Sequence, residues 1–283
     1  MVQLGINTAS LQKRRDISVD EIVDFIIENG FSAVEFRDEY PFSENISDKK
    51  AESIKEKLIQ NNIRCSVHLP FYDINLAAFR EDVRRAGINI LKKSLNKAWK
   101  LGASTVTVHG GSMRRNYYSE NWEAYAYKLS LLSLKELVEE ASKYNITILL
   151  ENLNLFKKNE RVVHALPEEM LKTKRELNNR IGFTLDVGHI VSTSLDPVAF
   201  VEKLGSNNIL LSHLNDNHLT SDEHLAVGEG LIDYQTFITA YIERKWKFPL
   251  LFETTTVESA LKSRKYINRL IENISARQTN PIA

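Results

Sequence analysis

The chain has one cysteine, Cys65, in 283 residues. A single thiol excludes an internal disulfide and any cysteine-based zinc knot, and it fits a reducing compartment. Net charge is missing as well: Lys+Arg and Asp+Glu both total 37, so no global field draws the protein to nucleic acid or to a membrane surface. Any polyanion site must therefore be local. No apolar run approaches membrane-spanning length, and the opening stretch MVQLGINTAS has neither the basic nor the apolar region of a signal peptide. The expectation is a soluble, cytoplasmic protein with no membrane partner. Linkers are absent too. No stretch rich in Gly, Pro or Ser divides the chain, and at 43% hydrophobic its length suits one large domain, 1–283, with a full core.

What is present is an alternation of strand-like and helix-like patterns. Strand patterns cover 3–8, 32–36, 63–68, 105–109, 146–151, 181–186, 209–213 and 249–253. Amphipathic helix patterns follow them in turn at 19–29, 49–60, 80–100, 122–143, 167–177, 197–204, 234–246 and 257–274. Gly30 and Gly102 are placed to end two of these helices. Eight strand–helix units are the number that closes a parallel barrel, so the fold expected is α/β, a (β/α)8 TIM barrel. An open doubly wound sheet would also alternate, but it normally carries a Gly-rich phosphate turn after its first strand, and Asn7-Thr8-Ala9-Ser10 is not one.

Seven of the apolar runs carry an acid–base or metal-type side chain at or near their C-terminal end: Glu35, His68, His109, Glu151, Asp186, His213 and Glu253. Parallel barrel strands put all their C-termini on one face, so these residues would build a single polar site. Strand parity agrees. With His109 inward, Thr105 and Thr107 share its face; with Glu151 inward, Thr147 and Leu149 join it, while Val106, Val108, Ile146, Ile148 and Leu150 face the helices.

Glu151, Asp186, His213 and Glu253 end strands five to eight and would converge across half the mouth. Three carboxylates around one imidazole repel unless a divalent cation neutralises them, and mixed oxygen and nitrogen donors suit zinc, manganese, cobalt or iron. His68 and His109 end strands three and four, where a second cation bridged by Glu151 is reasonable. His189, Asp222 and His224 could hold a third ion or contact substrate. Five of the seven histidines fall in this constellation; His164 and His218 do not. Glu35 reads as a substrate contact or a rim salt bridge. The pairs Arg114-Arg115 and Lys157-Lys158, with Lys13-Arg14-Arg15, lie in loops on the same face and suggest a phosphate-bearing or otherwise anionic substrate. Phe71, Tyr72, Tyr117 and Tyr118 share those loops and could stack on a sugar or a base. Gly228-Glu229-Gly230 reads as a loop-shaping turn.

Several segments together resemble the xylose isomerase-like TIM-barrel superfamily, which contains sugar and sugar-phosphate isomerases and epimerases as well as endonuclease IV. They are His68-Leu69-Pro70-Phe71 with Asn75-Leu76-Ala77, Val108-His109-Gly110-Gly111, Leu150-Glu151-Asn152, Leu185-Asp186-Val187-Gly188-His189, His213-Leu214-Asn215-Asp216, Asp222-Glu223-His224 with Gly228-Glu229-Gly230, and Phe252-Glu253-Thr254. The resemblance implies a divalent metal cofactor, zinc or manganese foremost, at one to three ions. In the isomerase and epimerase branch it implies one metal on Glu151, Asp186, His213 and Glu253. Glu151 and Glu253 are then the catalytic proton carriers, and His189 contacts a small sugar or sugar phosphate. In the endonuclease IV branch it implies three zinc ions, on His68, His109 and Glu151, on Glu151, Asp186, His213 and Glu253, and on His189, Asp222 and His224, with DNA at abasic sites as the partner. Endonuclease IV proteins usually grip DNA with a His-Val-Ser and Gly-Gly stretch after strand one and an Asn-Pro-Arg stretch after strand two. Here Asn7-Thr8-Ala9-Ser10 and Arg37-Asp38-Glu39-Tyr40-Pro41 stand there, which puts the isomerase or epimerase reading ahead. Lyase chemistry also occurs in the superfamily.

Overall fold

The computed structural model describes residues 2–12, 17–39, 46–114, 119–156, 158–193 and 195–279. Its strands are β1 (Leu4–Asn7), β2 (Ala33–Arg37), β3 (Arg64–His68), β4 (Thr105–Val108), β5 (Ser112–Arg114), β6 (Thr147–Glu151), β7 (Glu160–Val162), β8 (Ile181–Asp186), β9 (Ile209–Leu214) and β10 (Leu250–Phe252). Eight of them form a closed, all-parallel barrel in the order β1-β10-β9-β8-β6-β4-β3-β2. This is the expected (β/α)8 barrel. The sequence patterns had not distinguished β5 and β7, which pair antiparallel as a separate flap across the mouth.

Long helices follow the barrel strands: α2 (Val19–Glu28), α3 (Asp48–Gln60), α4 (Glu81–Lys100), α5 (Glu120–Ser142), α6 (Pro167–Glu176), α8 (Pro197–Leu204), α9 (Tyr234–Glu243) and α10 (Val257–Thr279). Two single-turn helices, α1 (Ala9–Gln12) and α7 (Val187–Ile190), sit directly after β1 and β8. Local chemistry sets the helix starts. Ser18 and Glu21 close a reciprocal capping box on α2, and Asp196 caps α8 ahead of Pro197. Past the end of α2, Gly30 takes φ +61°, a left-handed turn that costs glycine nothing.

Packing separates two apolar layers. The larger lies between sheet and helices and takes Ile6, Val34, Val67, Val106, Val108, Ile148, Leu150, Phe183 and Phe252 from the strands. A smaller one, Ala33, Leu149, Leu211 and Leu251, fills the lower barrel interior. Above it the interior turns polar: Ser66, Thr105, Thr107 and Thr184 are all buried and hydrogen-bonded to one another or to Glu35. The alternation of inward and outward residues on β4 and β6 follows the parity expected from sequence. Register then levels the strand ends: a shift between Phe183 and Thr184 sets Asp186 opposite His213, and Glu151 lies opposite Thr184.

Candidate metal centre

Strand ends deliver most of the polar residues at the mouth. His68 closes β3, His109 follows β4, Glu151 closes β6, Asp186 closes β8, His213 is the penultimate residue of β9 and Glu253 follows β10. His189 sits in α7, where Asp186 caps the turn by accepting from the His189 backbone N–H at 2.8 Å. Asp222 and His224 come from the long loop after β9. That loop is pinned by Asp216, whose buried carboxylate accepts from the backbone N–H groups of Asn217, Gly228 and Ile232.

The side chains meet in three groups, each with its donor atoms within 4.8 Å of one another: His68, His109 and Glu151; Glu151, Asp186, His213 and Glu253; and His189, Asp222 and His224. His213 Nδ1 is 3.1 Å from Glu151, 3.0 Å from Glu253 and 3.8 Å from Asp186. Glu151 Oε2 is 3.1 Å from His68 Nε2 and 3.0 Å from His109 Nε2, so its two oxygens belong to two groups. Asp222 joins the third group from within, 3.3 Å from His189 Nε2 and 3.2 Å from His224 Nε2. Two ligands each about 2.1 Å from a zinc ion lie roughly 3.0–3.4 Å apart at octahedral to tetrahedral angles, so these separations suit donors around shared cations.

Fixed ring orientations support the same fit. His68 Nδ1 lies 2.9 Å from the Leu69 carbonyl, His189 Nδ1 2.8 Å from that of Asn152, and His224 Nδ1 2.9 Å from that of Glu253. A carbonyl only accepts, so each ring donates from Nδ1 and leaves Nε2, the nitrogen that faces a carboxylate partner in its group, as the atom a cation would take. Asn215 donates to both oxygens of Asp186, at 3.3 and 3.0 Å, and a side chain at Gly188 would collide with it: a Cβ there would stand 1.8 Å from Asn215 Oδ1.

Electrostatics show how strongly the acids and imidazoles depend on each other. Burial opposes the charge on His213, yet Glu253, Glu35 and Glu151 outweigh it and hold the ring well above its usual pKa. Burial likewise opposes the charge on Glu151, but His109 and His213 keep it well below the carboxylate range. Asp186 is pushed up to about 6, first by burial and then by its carboxylate neighbours against the pull of His189 and His213. His224 rises to about 9 against its burial, through Asp222 and Glu253. The group on β6, β8, β9 and β10 has one imidazole for three carboxylates, an imbalance that a divalent cation would offset.

His68, His109, Glu151, His189, Asp222, His224 and Glu253 line a cavity of about 220 Å³, walled also by Phe71, Ile74, Leu153, Val162 and residues of the β5–β7 flap, while Asp186 and His213 are fully buried behind them. Phe71 stacks on His109 with ring centres 4.4 Å apart, so one face of this aromatic serves the site itself. Glu35 is not at the rim: it is 0% exposed in the barrel interior against His213 and, like Asp186 and His213, does not line the cavity. Arg114 is exposed on β5 and lines a neighbouring hollow instead. Arg115, Lys13-Arg14-Arg15, Tyr40-Pro41, Tyr117, Tyr118 and Lys157 lie outside the described residues. Asn152 and Asn215 were not singled out from sequence. Their adjacency to strand-end ligands, in Glu151-Asn152 and His213-Leu214-Asn215, was the available signal.

A closed parallel barrel with acids and imidazoles gathered at the strand C-termini defines the class: a (β/α)8 barrel with its site at the usual face. The chain belongs to the xylose isomerase-like TIM barrel family, whose sequence model matches residues 23–274. It is 26% identical to a crystal structure described as a D-tagatose 3-epimerase-like protein, superposing with a TM-score of 0.84 over 98% of this chain and 99% of that one. It is 29% identical to an uncharacterised protein of Methanocaldococcus jannaschii across 82% of this chain and 78% of the relative. It is 27% identical to "Probable endonuclease 4" of Solibacter usitatus across 66% of this chain and 68% of the relative.

Proposed function

We propose that the protein is a divalent-metal-dependent isomerase or epimerase of a small sugar, a cytoplasmic enzyme whose whole chain forms one barrel domain. The observation that carries this reading is His213 Nδ1 standing 3.1 Å from Glu151 and 3.0 Å from Glu253, with Asp186 3.8 Å away, so that four donors converge where Glu151 and Glu253 meet the cavity. The cavity suits a single sugar ring, and its described lining holds neither Lys nor Arg. That lining favours a neutral polyol over a phosphorylated one.

Glu151, Asp186, His213 and Glu253 would hold the metal, with zinc or manganese matching their donor types. Bound there, the cation would polarise a carbonyl and the adjacent hydroxyl of the sugar and acidify the C–H between them. Of the two catalytic carboxylates, Glu151 and Glu253, one takes the proton from that carbon and the other returns one to the opposite face, which inverts the centre. His189, fixed through Nδ1 by the Asn152 carbonyl, contacts the substrate from the wall. Phe71, Leu153 and Val162 keep water from the reacting carbon. With a metal-loaded preparation in D2O, ketoses such as D-tagatose and D-fructose should gain deuterium beside the carbonyl. Glu253→Gln and Glu151→Gln should each slow that exchange by roughly 10²–10⁴-fold. Full exchange by both variants would remove these residues from the mechanism.

A second reading, an endonuclease IV-like zinc phosphodiesterase acting at abasic DNA, is favoured by the completeness of all three donor groups and by the 27% identical relative. Three zinc ions per chain and nicking of abasic duplex, without exchange into any ketose, would establish it in place of the first.

A further inference from the structure

Glu35 is a carboxylate in the middle of a barrel, fully buried and off the cavity. Burying a charge costs several kcal/mol unless it is closely paired, so core packing does not account for it. Its partners show what it is aimed at. Oε2 lies 2.6 Å from His213 Nε2 and accepts from Asn7 Nδ2 at 2.8 Å, while Oε1 accepts from Thr107 Oγ1 at 2.6 Å and from Ser66 Oγ at 3.4 Å. The flanking strands β1 and β3, with β4 one place further round, thus clamp the carboxylate from three sides and leave one oxygen facing one imidazole nitrogen.

We infer that Glu35 is the positioning residue of the metal centre: it fixes the proton of His213 on Nε2 and presents the Nδ1 lone pair to the cation. His213 is distinctive here. His68, His189 and His224 are oriented through Nδ1 by neutral backbone carbonyls, and each offers Nε2. His213 is oriented through Nε2 by a carboxylate, and its Nδ1 is the atom that faces Glu151, Asp186 and Glu253. A carboxylate behind a ligand imidazole locks its tautomer and raises its donor strength, and loss of such a partner costs about 10–100-fold in metal affinity. The inference rests on the metal-binding part of the proposed function, and one titration separates the two.

Metal-stripped wild type and Glu35→Gln are titrated with Zn²⁺ against a chromophoric chelator, and the metal-free melting temperature of each is recorded. The glutamine is isosteric, with an oxygen that still accepts from His213, but it is neutral. The expected result is zinc binding about 10–100-fold weaker in the variant, measured at a temperature below the metal-free melting transition of both proteins. Equal affinities would overturn the inference and leave the metal centre standing; no zinc binding by wild type would overturn the metal centre itself. Should the variant not fold, the zinc-loaded wild type with ¹⁵N-labelled histidine decides the question. The His213 ring must then show its proton on Nε2 and its metal-shifted nitrogen at Nδ1, and the opposite assignment refutes the role of Glu35.

Discussion

His164 shows at the residue scale that a buried histidine is not a ligand by virtue of being buried. Its Nε2 lies 2.8 Å from Ser130 Oγ and its Nδ1 2.9 Å from Thr173 Oγ1, and Ser130 in turn donates to the carbonyl of Gly110, next to His109. Burial, assisted by Arg161 and Lys172, pushes its pKa down to about 3. The unfolded chain, with a value near 6.5, therefore binds more protons below that pH. The stability this residue contributes is full above pH 6.5 and is lost as pH falls toward 3. Urea midpoints measured between pH 7 and 4 should fall more steeply for wild type than for His164→Gln; parallel curves would show that protonation of this ring does not govern acid unfolding. Sequence alone leaves His164 indistinguishable in type from the five histidines of the site. What separates it is its set of partners on α5 and α6, which no local pattern carries. Glu35 was legible as a polar residue inside a strand, but its depth was not, because parity sets the face of a side chain and not its height in the barrel.

At the scale of elements, the long helices and the barrel strands were readable because each is announced locally. Apolar residues recur at helical or alternating spacing, and Ser18, Asp196 or Pro197 mark the starts. The β5–β7 flap was not readable. Each strand has three residues, and the two are separated in sequence by α5 and β6, so neither alternation nor a tight turn signals the pair. Asn75 stitches the flap to the loop after β3: it donates to the Ser112 carbonyl at 2.8 Å and accepts from the Ser112 and Ala77 N–H groups, each at 3.0 Å. Asn75→Ala should raise amide exchange at residues 111–113 and 160–162 while leaving the barrel strands protected. Uniformly faster exchange would show that the flap and barrel open as one unit.

For the whole molecule, the acids and imidazoles gathered from seven strands are a standing electrostatic cost that a bound ion would relieve. A ligand held only by the folded state stabilises it by about 2.7 kcal/mol at a hundredfold excess over Kd. For a chain of this size that corresponds to a rise in Tm of roughly 4–5 °C, which chelation should reverse. Calorimetric scans with Zn²⁺ or Mn²⁺ and then with EDTA check this, and an unchanged Tm with both metals would mean that these donors do not serve a cation. The barrel itself was legible because eight repeats of one pattern leave little choice of topology. The sharing of Glu151 between two donor groups was legible too, from the adjacency of strands three, four and five, whereas the placing of Asp222 between His189 and His224 was not, since it depends on the course of the loop after β9.

Glu253 follows β10, the strand that pairs with β1 to shut the ring. During translation, the four-donor pocket therefore lacks its final member until the strand that shuts the ring has been made. An ion held there would thus tie the closing seam to residues of β6, β8 and β9, so that metal at this pocket would act on ring closure rather than on the making of the earlier strands.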